Sequence, residues 1–292
     1  MTLKMKEQIK QIRKGFKDYI INNNLKSAII GISGGLDSAV NASLLYPVCQ
    51  ELQIPLIGRY IHIESNKECE ANTAQSIGLA FCDSFKYIDL TNNYNSFITE
   101  GVKYEDDINY KIRRGNIKAR MRMMYLRDLA HYYSGIMIDN SNKTEYNLGF
   151  FTIADGGDYS PLMNYWKTEV YKIANILKEE FSEFQANALQ KAIDMIPTDG
   201  LGITNSDLEQ IGAESYKQVD SILQEILAWK WLSLEKRGDT YDSIWDMRNA
   251  FLEEQQMLDT PIEVIIAVTD RHFKSEFKRK QLPIKITREE IV

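Results

Sequence analysis

The segment 31–38, with the sequence GISGGLDS, holds the residue types that point most clearly to chemistry. Its glycines let the backbone turn sharply and approach a ligand closely. A helix that begins directly after such a turn presents N–H groups and a partial positive charge at its N-terminus. Ser33 and Ser38 add two hydroxyl donors. This combination is typical of a loop that binds phosphate.

Asp37 adds a carboxylate to the same loop. It has two interpretations: a ligand of Mg²⁺, which suits phosphate and carboxylate oxygens together, or a carboxylate that the helix dipole favours at a helix start. The pattern S-G-G-x-D-S is neither a Walker A loop nor a G-x-G-x-x-G dinucleotide fingerprint. The alternative for the whole segment is an ordinary turn from strand to helix, where glycine and serine are common.

The elements that must position this loop can be located from hydrophobic patterning. Apolar runs predict strands at residues 27–32, 54–63, 86–90 and 135–140, and helices are predicted at 35–49, 66–82 and 117–133. Strands that alternate with helices at this spacing predict an α/β fold, a parallel sheet with helices on both faces. Further helical segments at 166–181, 187–194 and 215–232 predict additional C-terminal helices, and residues 1–292 are expected to form a single domain.

Composition restricts the function classes. The chain has 292 residues, 44% of them hydrophobic, with 35 Lys and Arg against 41 Asp and Glu, a net charge of −6. These values exclude a disordered chain and argue against a nucleic-acid binder, which is usually strongly basic. Three scattered cysteines, no signal peptide and no apolar run of membrane-spanning length predict a cytoplasmic protein with neither nucleic acid nor membrane as a partner.

The loop S-G-G-L-D-S resembles the PP-loop of the ATP pyrophosphatases, and further segments resemble one family within that superfamily. Residues 116–123 (NIKARMRM) are similar to the N-[IV]-x-A-R-x-R-M stretch of the ammonia-dependent NAD synthetases. Other family segments have counterparts in the same order, at residues 140–145, 149–152, 155–157, 159–161, 166–170, 196–198 and 275–279. Because these matches are collinear from residue 31 to residue 283, the resemblance covers nearly the whole chain.

The resemblance implies an adenine nucleotide alpha hydrolase-like, Rossmann-like fold and an ATP-dependent amidation. Nicotinic acid adenine dinucleotide (deamido-NAD) would be adenylated by ATP with release of pyrophosphate, and ammonia would then displace AMP to give NAD. The resemblance also implies Mg²⁺ as cofactor and a homodimer. The synthetase pattern leaves no room in the 292 residues for a glutaminase domain.

The resemblance also carries over residue roles. The Mg²⁺ ligands would be Asp37 and Glu145, and the catalytic residues would be Asp37 and Lys167. The deamido-NAD contacts would be Arg120, Asp158 and Lys278. The ATP contacts would be Gly31, Ile32, Ser33, Gly34, Gly35, Leu36, Asp37 and Ser38 of the loop, with Asn140, Lys167 and Thr198.

Three positions depart from the family pattern. Asn140 replaces a threonine, Ile153 stands where a lysine is usual, and Phe277 replaces a histidine. Two of the three changes remove a cation or a donor from the acceptor side, whereas the ATP side is nearly intact. Two alternatives therefore stay open: a PP-loop ATP pyrophosphatase with another acceptor, and a catalytically impaired nucleotide-binding homologue.

Overall fold

A four-stranded parallel sheet lies at the centre of the computed structural model. The structure describes residues 2–64, 67–101, 108–154, 156–196, 206–255 and 260–280. The strand order is β3-β2-β1-β4, and every neighbouring pair is parallel. The strands are β1 (Ala28–Gly31), β2 (Leu56–His62), β3 (Ser84–Asp89) and β4 (Ile136–Ile138). The predicted strands and their parallel arrangement are confirmed.

Helices connect the strands and fill the C-terminal half. They are α1 (Thr2–Asn22), α2 (Leu36–Leu52), α3 (Glu68–Phe81), α4 (Thr91–Gly101), α5 (Ile108–Tyr132), α6 (Lys143–Leu148), α7 (Lys167–Lys178), α8 (Glu183–Asp194), α9 (Tyr216–Lys230), α10 (Ile244–Glu254), α11 (Ile262–Lys274) and α12 (Glu276–Arg279). A π-helix, Trp231–Arg237, continues α9. None of the described helices is long and apolar enough to cross a membrane.

The two faces of the sheet are covered by different helices, as the alternating pattern predicts. Along β1, Ala28 and Ile30 pack into a cluster with side chains of α1, α2, α7 and α8. Ile29, between them, packs on the opposite face with Tyr94 of α4 and Leu126 of α5. Successive strand residues point to opposite faces, so a short apolar strand can serve both layers.

A second apolar cluster joins the C-terminal helices to the sheet domain. Ile222 and Ile226 of α9, Phe251 of α10 and Val268 of α11 are buried together with Leu148 of α6. The predicted helix at 215–232 is confirmed. Because α6 follows the edge strand β4, this cluster fixes α11 beside the carboxyl ends of the strands. The assignment of residues 1–292 to one domain, without a glutaminase, stays a prediction.

Candidate active site

The loop that is predicted to bind phosphate lies between β1 and α2. Gly34 has a positive φ of 87°, and a Cβ at this position would lie 2.2 Å from the carbonyl oxygen of Glu70. Only glycine fits this close approach between the loop and the start of α3. The Ser33 N–H donates to Ser38 Oγ at 3.2 Å, and Ser38 Oγ donates to the Gly35 carbonyl at 3.0 Å. The loop is thus held by its own hydroxyls.

Three charged side chains meet beside the loop. Lys167 is 3% exposed, and its Nζ lies 2.5 Å from Asp37 Oδ2 and 3.1 Å from Glu145 Oε1. Asn142 Nδ2 donates to the other oxygen of Asp37 at 2.8 Å. Residues from α2, α6 and α7 therefore form one centre, although 130 positions separate Asp37 from Lys167.

Electrostatics fixes the protonation state of the lysine. Burial lowers the pKa of Lys167, but Asp37 and Glu145 outweigh burial and hold this pKa well above its usual value. Burial and the nearby Asp37 carboxylate raise the pKa of Glu145 to about 8, and Lys167 opposes that shift only in part. Because Lys167 stays protonated, it supplies positive charge to the centre and does not accept protons.

Local structure explains why the centre is held in place. Asn142 caps α6 by accepting from the Glu145 N–H at 3.0 Å, so the same residue orients both Glu145 and Asp37. The Lys167 N–H donates to Thr144 Oγ1 at 2.8 Å. Buried Asp220 of α9 accepts from Thr144 Oγ1 at 2.5 Å and from the Thr168 N–H at 3.0 Å. This carboxylate fixes the starts of α6 and α7 relative to each other.

The residues predicted to bind Mg²⁺ have the right chemistry for it. Asp37 and Glu145 approach one cation, the Lys167 ammonium, from two different helices. Among the described residues, no group of three His, Cys, Asp or Glu side chains is arranged to hold a metal. Mg²⁺ commonly takes one or two carboxylates and completes its shell with phosphate oxygens and water. Two carboxylates beside a phosphate-binding loop fit that requirement.

One cavity of about 1300 Å³ lies at this edge of the sheet. It is lined by the loop except Gly34, and also by Asn140, Glu145 and Lys167. Asn140 Nδ2 donates to the Gly31 carbonyl at 2.8 Å, which ties β4 to the start of the loop. Cationic side chains outnumber carboxylates among the described residues that line this cavity, which suits anionic ligands. The cations are Arg59, Lys111, Arg122, Lys167, Arg271, Lys274 and Lys278, and the carboxylates are Asp37, Glu70, Asp139, Glu145 and Asp207.

The residues predicted to contact deamido-NAD are placed differently from one another. Lys278 lines the cavity, and its Nζ donates to the carbonyls of Gly149 and Phe151 at 2.8 and 2.7 Å. Arg120 and Asp158 are not among the described residues that line it. Arg120 donates to the Ile153 carbonyl at 3.3 Å, and Asp158 pairs with Arg127 at 2.6 Å. Thr198 lies outside the described residues.

Several cavity residues were not singled out from the sequence. Arg59 is 3% exposed on β2, in register with Gly31, and donates to the carbonyls of Gly58 and Ser84 at 2.7 and 3.1 Å. An arginine inside an otherwise apolar strand is the signal that could have revealed it, since arginine is rarely buried without a partner. Asp207 and Arg271 also line the cavity, but nothing local in the sequence marks them.

The parallel sheet, the loop after β1 and the carboxylate–lysine centre define a PP-loop nucleotide-binding protein. The family model described as NAD synthase matches residues 8–282. The NH(3)-dependent NAD(+) synthetase of Thermococcus sibiricus is 30% identical over 271 residues, 92% of either chain. The one from Mycoplasma genitalium is 30% identical over 238 residues, 80% of this chain and 88% of the relative. The chain belongs to the NAD synthase family, and the predicted resemblance is confirmed.

Solved structures share the fold. An NMN synthetase from Francisella tularensis has a TM-score of 0.72 and 22% identity, and the match covers 98% of each chain. An NH3-dependent NAD synthetase from Campylobacter jejuni has a TM-score of 0.67 and 20% identity, covering 97% of this chain and 99% of the other. At these identities the likeness establishes the fold alone, and it confirms the predicted PP-loop architecture.

Proposed function

We propose that this protein is an ammonia-dependent ligase that amidates the nicotinate carboxylate of deamido-NAD, with ATP as co-substrate, to form NAD. Membership of the NAD synthase family supports this reaction. The observation that carries it is the meeting of Asp37, Glu145 and Lys167 beside the PP-loop in a cation-lined cavity. A protein that only bound nucleotides would have no need of this centre.

The first chemical step joins the acceptor to AMP. A carboxylate oxygen of the acceptor attacks the α-phosphorus of ATP, and the bond to the bridging oxygen of pyrophosphate breaks. Backbone N–H groups and hydroxyls of Ser33 and Ser38 hold the departing pyrophosphate, while the Lys167 ammonium offsets its charge. Mg²⁺, held by Asp37 and Glu145, would neutralise phosphate charge and make pyrophosphate a better leaving group.

The second step releases AMP. Ammonia attacks the carbonyl carbon of the acyl adenylate, the carbon–oxygen bond to AMP breaks, and one proton leaves the nitrogen. Protonated Lys167 cannot take that proton, because its pKa is held far above the usual value. Lys167 therefore contributes positive charge and positioning to this step, and not proton transfer.

A second candidate acceptor is nicotinic acid mononucleotide. The observation that favours it is that Arg120 and Asp158, two predicted dinucleotide contacts, are not among the described residues that line the cavity. The Francisella tularensis protein with the same fold is named an NMN synthetase. A mononucleotide would need only the contacts that the cavity itself offers.

The test is an endpoint assay with ATP, Mg²⁺, ammonium and one of the two acceptors, omitting each component in turn. We expect NAD from deamido-NAD together with equal amounts of AMP and pyrophosphate. Amidation of the mononucleotide alone would establish the second candidate. Formation of AMP without either amide would contradict both and indicate another acceptor. Binding of ATP without turnover would indicate the catalytically impaired homologue.

We also propose that the protein acts as a homodimer. On α5, Met124 is 69% exposed and Tyr132 is 76% exposed, and Phe97 of the adjacent α4 is 55% exposed. Exposed apolar side chains on neighbouring elements suit an interface. Arg120, a predicted deamido-NAD contact, lies one helical turn before Met124. A second copy docked on α5 would therefore lie next to this contact. Light scattering should give twice 33.8 kDa; a single-chain mass would contradict the proposal.

The proposed location is the cytoplasm. Cys49, Cys69 and Cys82 are all free thiols, which suits a reducing compartment. Fractionation of the source cells with an antibody to the protein tests this location. Recovery with the membranes would contradict it.

A further inference from the structure

Helices α11 and α12 are fastened to the segment 149–152, which directly follows α6. Gly149 has a φ of 69°, and a Cβ there would lie 2.3 Å from Ser275 Cβ, so backbone and helix are in close contact. Lys278 Nζ donates to the carbonyls of Gly149 and Phe151. The ammonium of Lys278 therefore serves to hold this wall of the cavity together.

Arg271 occupies a different position on the same wall. Its guanidinium carbon lies 3.9 Å from the centre of the Phe150 ring, and its Nη2 lies 3.4 Å from Gln210 Oε1. The side chain is half-buried and lines the cavity, as does exposed Lys274 one helical turn later. A guanidinium that lies over an aromatic ring is held there by a cation–π contact, which fixes its position on the cavity wall.

We infer that Arg271, assisted by Lys274, binds the phosphate of the acceptor nucleotide and sets the preference for a phosphorylated acceptor. This inference rests on the proposed function. The cavity must hold two anions. In the proposed function the PP-loop, between β1 and α2, and Lys167 of α7 bind the phosphates of ATP. A planar guanidinium can bind phosphate through two parallel hydrogen bonds, whereas an ammonium acts as a point charge.

The test has two separate parts. One removes the phosphate from the acceptor, and the other removes the positive charge of Arg271 or Lys274 from the protein. Nicotinic acid riboside lacks every phosphate of the nucleotide acceptors but keeps the reacting carboxylate. Its affinity is measured as an alternative acceptor or, where it is not amidated, as a competitive inhibitor. The preference is the ratio of the affinity for the nucleotide that wild type amidates to the affinity for this riboside.

Arg271→Gln should lower this preference about 10- to 100-fold, the loss of a charge-assisted hydrogen-bonded contact. The affinity for the riboside and the KM for ATP should stay within about 2-fold of wild type, since neither involves the proposed contact. Lys274→Gln, at an exposed position that tolerates substitution, should lower the preference by a smaller factor. The preference of Arg271→Lys should lie between the preferences of Arg271→Gln and wild type.

Arg248→Gln is the matched control. Arg248 lies on neighbouring α10, pairs with Asp270 and is not among the described residues that line the cavity, so the preference should not change. An unchanged preference in both Arg271→Gln and Lys274→Gln would overturn the inference. An equal loss of affinity for the nucleotide and for the riboside in Arg271→Gln would also overturn the inference. So would a raised KM for ATP in Arg271→Gln with no change in the preference. A wild-type protein that amidates neither nucleotide would instead contradict the proposed function.

Discussion

At the scale of single residues, the centre of Asp37, Glu145 and Lys167 resolves an electrostatic conflict. Lys167 is the first residue of α7, where the helix dipole disfavours a cation. A lysine at this position needs an anionic partner. The structure supplies two carboxylates, from α2 and α6, at 2.5 and 3.1 Å. The lysine is thus stabilised by the residues with which it acts.

Asp37→Asn tests this centre directly. The change keeps the size of the side chain but removes one of two carboxylates expected to hold Mg²⁺. We expect AMP formation from ATP to fall on the order of 100-fold, the usual loss when one group that stabilises transferring charge is removed. Asp18→Asn, at the exposed pair with Lys14 on α1, is the control and should leave the rate unchanged. Equal rates for Asp37→Asn and wild type would contradict the metal assignment.

Features that depend on local chain geometry can be predicted from the sequence. The loop is of this kind, because glycines, hydroxyls and a carboxylate in a short segment already define a phosphate cradle. The roles of Asp220 and Arg271 depend instead on residues that are distant in the sequence. Asp220 acts through Thr144, 76 positions away, and Arg271 through Phe150 and Gln210. Their neighbours are decided by the packing of helices, which no local pattern encodes.

At the scale of elements, the PP-loop depends on its contact with α3. Gly34 combines a φ of 87° with the 2.2 Å approach of a hypothetical Cβ to the Glu70 carbonyl. A side chain there meets backbone, which cannot rotate away. The start of α3 therefore sets the position of the loop.

Gly34→Ala should displace the loop and weaken ATP binding. The left-handed backbone by itself costs about 1–2 kcal/mol for a residue with a Cβ, and the contact with Glu70 adds to this. We expect at least about a 10-fold loss of ATP affinity in a calorimetric titration. Gly15→Ala on α1, where a Cβ would meet only Tyr159 Oη at 3.4 Å, should bind ATP normally. Normal ATP affinity in Gly34→Ala would refute the constraint.

Helix α11 carries a pH-sensitive group in its buried face. His272 is 1% exposed, and its Nδ1 lies 3.1 Å from the Asn147 carbonyl. Burial, together with the charges of Arg279 and Lys230, lowers the pKa of His272 to about 3. The unfolded chain takes up a proton near the ordinary value of about 6.5, whereas the folded chain stays neutral. Between these two pKa values, acid therefore favours unfolding.

The folded protein should lose about 2 kcal/mol of unfolding free energy through His272 between pH 7 and pH 5. Urea unfolding at both pH values measures this loss. His272→Gln should have lower stability at pH 7 but a smaller decrease toward pH 5. His131→Gln, at an exposed position on α5, should keep the wild-type decrease. The same decrease in His272→Gln and wild type would show that this histidine is not responsible.

Element prediction succeeded where hydrophobic periodicity was strong. The four strands and the helix at 215–232 lie where apolar spacing placed them. Helix α4, with the sequence TNNYNSFITEG, was not identified, because its residues are mostly polar and its apolar stripe is short. Its contribution comes from Tyr94, which is buried against the sheet. Tertiary packing, and not intrinsic propensity, decides such a helix.

At the scale of the whole molecule, charge is distributed unevenly. The chain carries −6 overall, yet cations from β2, α5, α7, α11 and α12 line a single cavity. An anion site in an acidic protein must be built locally, and the sequence does not show which cations come together. The C-terminal apolar cluster brings the cations of α11 to the cavity, because it fixes α11 beside the carboxyl ends of the strands.

In the proposed reaction, the acceptor carboxylate attacks the α-phosphorus of ATP in this cavity. The most direct measurement uses deamido-NAD with ¹⁸O in its carboxylate and follows the label by mass spectrometry after a single turnover. We expect one labelled oxygen in AMP and none in pyrophosphate, because the acceptor oxygen leaves with AMP when ammonia attacks. Label in pyrophosphate or orthophosphate, or formation of ADP in place of AMP, would contradict it.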